Sequence, residues 1–486
     1  MIRRLGVAVA FSTLCFLNTW VELAQARGVY FARFDPLHAV VLPVLCWQLL
    51  IAAVVFFLPP RALLVASVVP LGFSALAILR MLPFEIASVV LRPWFWPLVV
   101  FALAAAAMIW LRIRDRLLLP SAEEVYLYTL PVLLWIVFQA AWHQFPSAQY
   151  QDRPNQAQRK AVSNITPRVI WIIFDEMSLE AVFDKRPTGI QMPNFDRLRA
   201  QGLYATNVLP PAPNTLESLP SLLTGRRVKH AIPKGPRELE LRFEDGTIGN
   251  WSKMEMIFDR VPVRSGLAGW FHPYCRVLPA DATSDCAWTA GALLTGIEEP
   301  SEEQSLMAAM QDRFGYQVRA FPLLGRIPGF SPLEAANREK QRRLDWLIAR
   351  SLKMAVDAEL GLLVLHYPVP HPPGGYIANL ERADAILGTL TEEVAKAGLE
   401  NRTAFIVSSD HGWRPGIWSH TADWSREEQR LAASIGGSSR IPFLVRVPGS
   451  SFAGTVFEPE WNSVRTGALV RKILAGQVQT LKDLDW

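Results

Sequence analysis

Four short segments of the sequence carry side chains that can bind a metal ion or act as a nucleophile. In chain order they are Asp175-Glu176, Asn214-Thr215, His366 with His371, and Ser409-Asp410-His411-Gly412. Carboxylates and imidazoles are ligands for divalent cations such as Zn²⁺ or Mn²⁺. A threonine hydroxyl is a poor nucleophile until a metal ion or a base removes its proton. The set therefore predicts metal-assisted chemistry through the hydroxyl of Thr215.

Three apolar strands are expected to position these side chains. Val169–Phe174, Leu362–Leu365 and Thr403–Val407 are short apolar runs typical of buried strands, and they end at the acidic pair, at His366 and at the Asp-His segment. Amphipathic stretches alternate with them, which predicts a mostly parallel sheet covered by helices. An acidic residue after a strand equally suits a helix cap. Three strands that all end in metal-binding side chains favour a ligand-binding site, because ligands bind beyond the carboxyl ends of parallel strands.

The four segments, in this order, resemble the alkaline phosphatase superfamily, in its sulfatase-like branch. The resemblance extends over most of residues 168–450. Three further stretches resemble family segments, namely the one after the first metal-binding turn, the helix before the Asp-His strand and a late strand. They are Met192–Leu198, Tyr376–Leu387 with Asp384, and Arg440–Gly449. The resemblance implies an α/β domain with a mostly parallel sheet.

The residue at the nucleophile position separates members of this branch. Sulfatases carry Cys or Ser there in a Cys-x-Pro-x-Arg pattern, whereas this chain has Thr215, with Glu217 and Leu219 in place of Pro and Arg. Sulfate hydrolysis is thereby disfavoured. A threonine resembles the membrane-anchored phosphoethanolamine and phosphoglycerol transferases, which implies a phospho-threonine intermediate. Thr215 also suits a helix N-cap, and a helix N-terminus favours an anionic group.

The same resemblance implies one divalent metal ion, Zn or Mn. Its ligands would be Asp175 or Glu176 together with Thr215, Asp410 and His411. Sulfatases use an acidic pair at the first position and phosphoethanolamine transferases a single glutamate, so both acidic residues are candidates. No histidine stands at Asp-x-x-x-His spacing in the corresponding region, so a second metal ion is expected at most together with substrate.

The remaining histidines are candidate substrate-binding residues. His371, in a Pro-His-Pro-Pro setting just past a strand, resembles the family residue that binds the transferred group. His366 and His420 are further candidates, although each equally suits a capping or packing role. His272 loosely resembles part of a sulfatase Gly-Lys-Trp-His segment, with Trp270 where the lysine would stand.

The apolar content, 51% overall, is concentrated before residue 145. Five stretches approach the roughly 20 residues that a helix needs to cross a membrane. They are Leu5–Ala24, His38–Leu58, Ala62–Ile78, Trp94–Leu111 and Val125–Trp142. If Arg3 and Arg4 are cytoplasmic, five crossings place Arg61 inside and the domain after Trp142 outside. A cleaved signal peptide over residues 1–25 is the alternative.

The predicted organisation is a transmembrane domain over 1–145, a linker over 146–167 and a sulfatase-like catalytic domain over 168–486. Cys275 and Cys286 lie in the outer domain, where either a disulfide or two buried thiols is expected. The net charge of +5 comes without a Lys/Arg run, so no nucleic-acid partner is expected.

The resemblance implies an inner-membrane phosphotransferase with a periplasmic catalytic domain. It would move a phosphoethanolamine-type or phosphoglycerol-type head group from a membrane lipid donor, through phospho-Thr215, to an envelope glycan or lipid. One alternative is a hydrolase of phosphate esters, less favourably sulfate esters, in the same fold. Another is a catalytically silent protein for envelope binding or assembly, against which the intact Thr215, Asp410 and His411 argue.

Overall fold

The computed structural model describes most of the chain, and the longest stretch outside the described residues is 75–120. The described residues are 1–24, 26–32, 37–67, 69–70, 74, 121–143, 150–153, 167–279, 281–290, 305–320, 332–372, 374–419 and 423–484. Two compact units are present. One comprises Met1–Gln151 and Ala292–Ala336, and the other comprises Asp152–Gly291 and Asn337–Trp486. The stretch from Ala292 to Ala336, expected within the catalytic domain, thus groups with the N-terminal helices.

The α-helices of the described residues are numbered in chain order. They are α1 (Ile2–Cys15), α2 (Leu17–Ala24), α3 (Ala26–Phe31), α4 (Leu42–Phe56), α5 (Pro60–Ala66), α6 (Ala122–His143), α7 (Pro193–Gln201), α8 (Thr215–Thr224), α9 (Tyr274–Val277), α10 (Leu306–Ala320), α11 (Pro332–Ala355), α12 (Tyr376–Lys396), α13 (Pro415–Trp418), α14 (Arg426–Ile435) and α15 (Thr466–Leu474). A π-helical turn, Leu37–Val41, precedes α4.

The strands of the described residues belong to the second unit. They are β1 (Arg168–Asp175), β2 (Leu203–Ala205), β3 (Val208–Leu209), β4 (Val228–Gly235), β5 (Glu238–Phe243), β6 (Ile248–Asn250), β7 (Ser265–Phe271), β8 (Asp285–Ala290), β9 (Leu362–Pro370), β10 (Thr403–Ser409), β11 (Phe443–Arg446), β12 (Thr455–Phe457) and β13 (Trp461–Asn462).

The N-terminal helices only partly match the five predicted membrane spans. Among the described residues, one helix contains a stretch long and apolar enough to cross a membrane, Glu123–Trp142 in α6. Helices α1 and α2 pass the same test only as a pair, and they are bent by 73°. The second predicted span contains α4, of 15 residues, and the third contains most of α5. The fourth, Trp94–Leu111, lies outside the described residues, so the multi-pass anchor stays a prediction.

Eight strands of the described residues form the main sheet, in the order β12-β2-β11-β10-β1-β9-β7-β8. The central strands are parallel, and Trp171 of β1 pairs with Ile406 of β10 on one side and Val364 of β9 on the other. Strand β11 is antiparallel to both of its neighbours. All of β1 and all of β9 are buried, which is why these strands appear as continuous apolar runs. The predicted α/β domain with a mostly parallel sheet is confirmed.

Two local features differ from the sequence predictions. Strand β9 continues to Pro370, so His366 lies inside the strand rather than at its end. Helix α8 begins at Thr215, and its N-cap is Asn214, so the threonine is the first helical residue rather than the cap. This position leaves the hydroxyl of Thr215 available for other contacts at the positive end of the helix dipole.

A disulfide links α9 to β8. Its partners are Cys275 and Cys286, whose Cα atoms are 5.6 Å apart. The disulfide, rather than two free thiols, is therefore the form in the structure. Cys15 and Cys46, in the first unit, are free.

Candidate active site

The hydroxyl of Thr215 lies next to one carboxylate and one imidazole, which two neighbouring strands position. Its Oγ1 atom is 3.4 Å from each carboxylate oxygen of Asp175 and 3.2 Å from Nε2 of His411. Asp175 ends β1 and His411 follows β10, and these strands are adjacent and parallel. The carboxyl edge of the sheet thus brings the proposed nucleophile and two proposed ligands together in a buried setting.

A divalent cation fits the same cluster. Nε2 of His411 is 3.4 Å from Asp175 Oδ1 and 3.5 Å from Asp410 Oδ2. Nε2 of His366 lies 4.0 Å from Asp410 Oδ2, and neither of these two atoms has a hydrogen-bond partner among the described residues. Buried polar atoms without partners are costly, and a cation between them would satisfy both. The donors are those that Zn²⁺ and Mn²⁺ accept.

The charges of the cluster also favour a cation. Burial raises the pKa of Asp410 to about 7, and burial together with the charges of Asp410 and Glu176 raises the pKa of Asp175 well above its ordinary value. Burial lowers the pKa of His366 to about 3 and the pKa of His411 well below its ordinary value. Both imidazoles are therefore neutral at pH 7, the form that binds metal. A bound cation would stabilise the carboxylates in their charged form.

The two acidic residues after β1 have different surroundings. Glu176 adopts a left-handed backbone conformation with φ 66°. Oε1 of Glu176 accepts hydrogen bonds from the backbone N–H of Arg414 at 2.8 Å and from Trp418 Nε1 at 2.9 Å. Asp175 instead contacts Thr215, so it is the stronger candidate for the metal shared with the nucleophile. Glu176 can join Asp175 and His371 in a second grouping of donor atoms.

His371 lies at the side of the site where Glu176 is held. Its Nε2 atom is 3.7 Å from Oε2 of Glu176, and its ring makes edge-to-face contacts with Trp270 and Trp418, with centroid distances of 5.3 and 4.9 Å. Burial, followed by the charges of Lys340 and Arg414, lowers the pKa of His371 well below its ordinary value. A neutral ring at this position can donate or accept a hydrogen bond with a transferred group.

The other histidines have different positions. His366 is buried, and its Nδ1 atom lies 3.1 Å from both the hydroxyl of Tyr274 and the backbone oxygen of Trp270. The structure thus places it among potential metal ligands rather than at an open substrate surface. Nε2 of His272 is 3.3 Å from the backbone oxygen of Thr215, the residue that carries the proposed nucleophile. His420 lies outside the described residues.

Sequence reasoning missed three side chains that contact the site. Nη1 of Arg414 donates to Asn214 Oδ1 at 2.6 Å, and its guanidinium also contacts Glu176. Nζ of Lys340, on α11, donates to the backbone oxygen of His371, and burial lowers its pKa to about 7. Nε1 of Trp270 donates to Asp175 Oδ2 at 2.9 Å.

Only some of these contacts left a signal in the sequence. Arg414 stands two positions after the Ser-Asp-His-Gly segment, behind Trp413, and is identifiable from that position. Trp270 stands where a sulfatase segment has lysine, which marks it only as a departure. Lys340 lies on a long helix rich in charged residues, and nothing in its sequence context distinguishes it from a solvated surface residue.

Comparison with known proteins supports the class of this site. Residues 359–454 match the family model for type I phosphodiesterases and nucleotide pyrophosphatases. This segment contains His366, His371, Asp410 and His411. No curated protein matches the chain in sequence.

Several solved structures are similar to part of the chain. A phosphonate monoester hydrolase of Agrobacterium radiobacter is 12% identical, covers 64% of this chain and 74% of its own, and has a TM-score of 0.40. A Pseudoalteromonas sulfatase is 16% identical, with coverages of 66% and 69% and a TM-score of 0.40. Murine ectonucleotide pyrophosphatase/phosphodiesterase 5 is 12% identical, with coverages of 64% and 95% and a TM-score of 0.37. At these identities and scores, none of the three indicates a substrate for this chain.

The fold and the site define an enzyme of the hydrolase or phosphotransferase type. The family-model match, together with the order of the motifs, indicates the alkaline phosphatase superfamily, in its sulfatase-like branch. The resemblance to this superfamily and branch is therefore confirmed, and the finer resemblance to phosphoethanolamine and phosphoglycerol transferases stays a prediction.

Proposed function

We propose that this protein is a membrane-anchored, metal-dependent phosphotransferase that moves a phosphorylated head group from a lipid donor to an envelope glycan or lipid. The observation that carries the proposal is the position of Thr215, whose hydroxyl lies within 3.4 Å of both Asp175 and His411 at the start of α8. A threonine here, without the flanking residues of a sulfatase, suits transfer of a phosphoryl group rather than hydrolysis of a sulfate ester.

The proposed reaction has two steps, each a displacement at the same phosphorus atom. In the first, Oγ1 of Thr215 loses its proton and attacks the phosphorus of a phosphodiester, and the bond from phosphorus to the diacylglycerol oxygen breaks. The departing diacylglycerol oxygen takes up a proton, and the head group stays on Thr215 as a phosphodiester. In the second step an acceptor hydroxyl attacks the same phosphorus, and the threonine oxygen leaves and regains a proton.

Asp175, Thr215, Asp410 and His411 would hold the divalent cation, and His366 is placed to contribute as a further ligand. When bound, such a cation lowers the pKa of the threonine hydroxyl and stabilises charge on the phosphoryl oxygens. Zn or Mn is proposed because the donors combine imidazole with carboxylate.

Two cationic side chains and a helix terminus would bind the transferred group. Arg414 contacts both Asn214, which precedes the nucleophile, and Glu176. Lys340 contacts the backbone of His371. Arg414, the N-terminus of α8 and the protonated form of Lys340 would present positive charge to the phosphoryl oxygens, a stabilisation that counts most in a buried site.

The donor is proposed to be a lipid because the site belongs to a chain with apolar N-terminal helices. Helix α6 presents several large apolar side chains to its surroundings, including Val132, Trp135 and Phe138, each at least half exposed. A surface of this kind is typical of a helix in contact with lipid. A hydrolase of phosphate esters, which uses water as the acceptor, is the alternative within the same chemistry. The phosphodiesterase family match is compatible with it.

The test uses the full chain in proteoliposomes with Zn²⁺ or Mn²⁺. Vesicles contain either phosphatidylethanolamine or phosphatidylglycerol, and released diacylglycerol is measured for the wild type and for Thr215→Ala. The proposal predicts release that depends on Thr215 and increases when envelope glycan or lipid acceptors are added. Release that is unchanged by acceptors and yields free phosphoethanolamine or phosphoglycerol would instead identify a hydrolase. Release by Thr215→Ala at the wild-type rate would contradict both.

A further inference from the structure

Helix α10 comes from the middle of the sequence yet packs with the N-terminal helices. Nε1 of Trp47, on α4, donates to the backbone oxygen of Met310 at 2.8 Å. The side-chain amide of Gln317 donates to Asn18 Oδ1 at 2.9 Å and to Thr19 Oγ1 at 3.2 Å, both on α2. Hydrogen bonds from both ends of α10 thus fix it against two helices of the first unit.

The surface of α10 is divided into three parts. Ala309, Arg313 and Gln317 are buried against the first unit. Met307 and Phe314 share one side and are 64% and 51% exposed. Asp312 is exposed and polar on another side of the helix, whereas Gln311 is exposed beside Met307 and Phe314, at helical spacings of four and three residues. An apolar edge between a packed face and a polar edge is the pattern of a helix that lies in the plane of a membrane surface.

The apolar edge of α10 continues the exposed apolar surface of α4. The ring of Phe314 stacks on Trp47 with a centroid distance of 5.1 Å. Large exposed apolar side chains on α4 begin near Trp47, and Leu49 and Val54 are 72% and 65% exposed. Tryptophan is enriched at the boundary between lipid head groups and acyl chains, so its position suggests where the bilayer surface lies on α4.

We propose that α10 is an interfacial helix whose edge of Met307 and Phe314 inserts into the head-group region of the outer leaflet. This inference rests on the membrane anchor of the proposed function. It adds that a segment inserted in the catalytic sequence, and not only the N-terminal helices, binds lipid. The chain leaves the second unit after β8 and returns to it within α11, the helix that carries Lys340, so the lipid contact is connected by sequence to the site.

Fluorescence quenching at single cysteines tests the proposal in full-length protein reconstituted into vesicles. A bimane label is placed at Met307→Cys or Phe314→Cys, with Asp312→Cys as the matched control on the polar edge. Cys15 and Cys46 are replaced by alanine, and the disulfide is kept. Positive controls are Val54→Cys on α4 and Val132→Cys on α6. Quenchers are lipids with a shallow nitroxide, lipids with a deep nitroxide and aqueous iodide.

The proposal predicts that shallow nitroxide lipids quench labels at Met307 and Phe314 at least about twofold more than the label at Asp312, as expected for side chains buried in the head-group boundary. Iodide should show the reverse order. If iodide quenches all three α10 labels equally while Val54 and Val132 respond to deep nitroxides, α10 does not insert and the anchor stands. If Val54 and Val132 are also quenched by iodide alone, the anchor fails, and this inference fails with it.

Discussion

The hydroxyl oxygen of Thr215 lies 3.2 Å from Nε2 of His411, although the two residues are 196 positions apart in the sequence. The first helical turn of α8 supplies the threonine, and the segment after β10 supplies the histidine. Burial keeps that histidine neutral by lowering its pKa. A nucleophile and a metal-binding imidazole therefore meet where the helix dipole also favours an anionic group.

The two acidic residues after β1 should differ in their effect on metal affinity. Asp175→Asn removes a donor that contacts both Thr215 and His411, and we expect affinity to fall on the order of 100-fold or more, beyond the loss typical of an outer partner. The isosteric Glu176→Gln should cost about tenfold or less, since Arg414 and Trp418 hold that carboxylate. Titration with Zn²⁺ measures both affinities. Equal losses would contradict the assignment of Asp175.

Metal binding should release protons in a pH-dependent way. Burial raises the pKa of Asp410 to about 7, so the metal-free site holds a proton below that pH and loses it on binding. In the metal-free protein, this raised pKa contributes stability that is fully present below the ordinary value of 3.8 and is lost as the pH rises through about 7. Calorimetry in two buffers of different ionisation enthalpy measures the release. It should be greater at pH 6 than at pH 8, and equal release would contradict the prediction.

Arg414 should act on turnover more than on metal content. Its guanidinium contacts Asn214 and Glu176 at once, a fork that lysine cannot reproduce. We expect Arg414→Lys to lower kcat roughly 100-fold, as a displaced reacting group does, with metal content unchanged. Arg446→Lys is the matched control, because Arg446 pairs with Glu400 away from the site. Phosphodiesterase assays with metal analysis on the same samples measure both quantities. Loss of metal in Arg414→Lys would assign it a structural role instead.

The disulfide should stabilise the protein, and only one cysteine pair should matter. Cys275 and Cys286 close a loop with a sequence separation of 11, for which the loop-entropy relation gives about 3 kcal/mol. The melting temperature of the wild type should therefore fall on reduction. It should fall equally in the variant with Cys15 and Cys46 replaced by serine. The variant with Cys275 and Cys286 replaced should start lower and be insensitive to reductant. A reductant effect in that variant would contradict the prediction.

The sequence was most informative where burial acts on consecutive residues. All eight residues of β1 are buried, so their apolar run predicted both the strand and the acidic residue at its end. The Ser-Asp-His-Gly segment was likewise identifiable, because it follows a buried strand of the same kind. Local preferences were less exact at element ends, since Asn214 rather than Thr215 caps α8 and β9 continues past His366.

Contacts between residues far apart in the chain could not be predicted from the sequence. Lys340 reaches the site because α11 packs beside the loop of His371, and no local pattern encodes that packing. The assignment of α10 to the N-terminal unit depends on Gln317 meeting Asn18, 299 residues away. The choice between Asp175 and Glu176 likewise depended on which carboxylate contacts Thr215 and on the position of Arg414. Each of these follows from tertiary packing alone.

The covalent intermediate is tested most directly by mass spectrometry of the full chain. Wild type and Thr215→Ala are loaded with Zn²⁺, mixed with vesicles of phosphatidylethanolamine or phosphatidylglycerol, quenched in acid and digested. The proposed mechanism predicts a mass increment equal to the phosphorylated head group, on the peptide containing Thr215, in the wild type alone. An unmodified Thr215 in a metal-loaded enzyme that turns over its donor, or the same increment in Thr215→Ala, would contradict it.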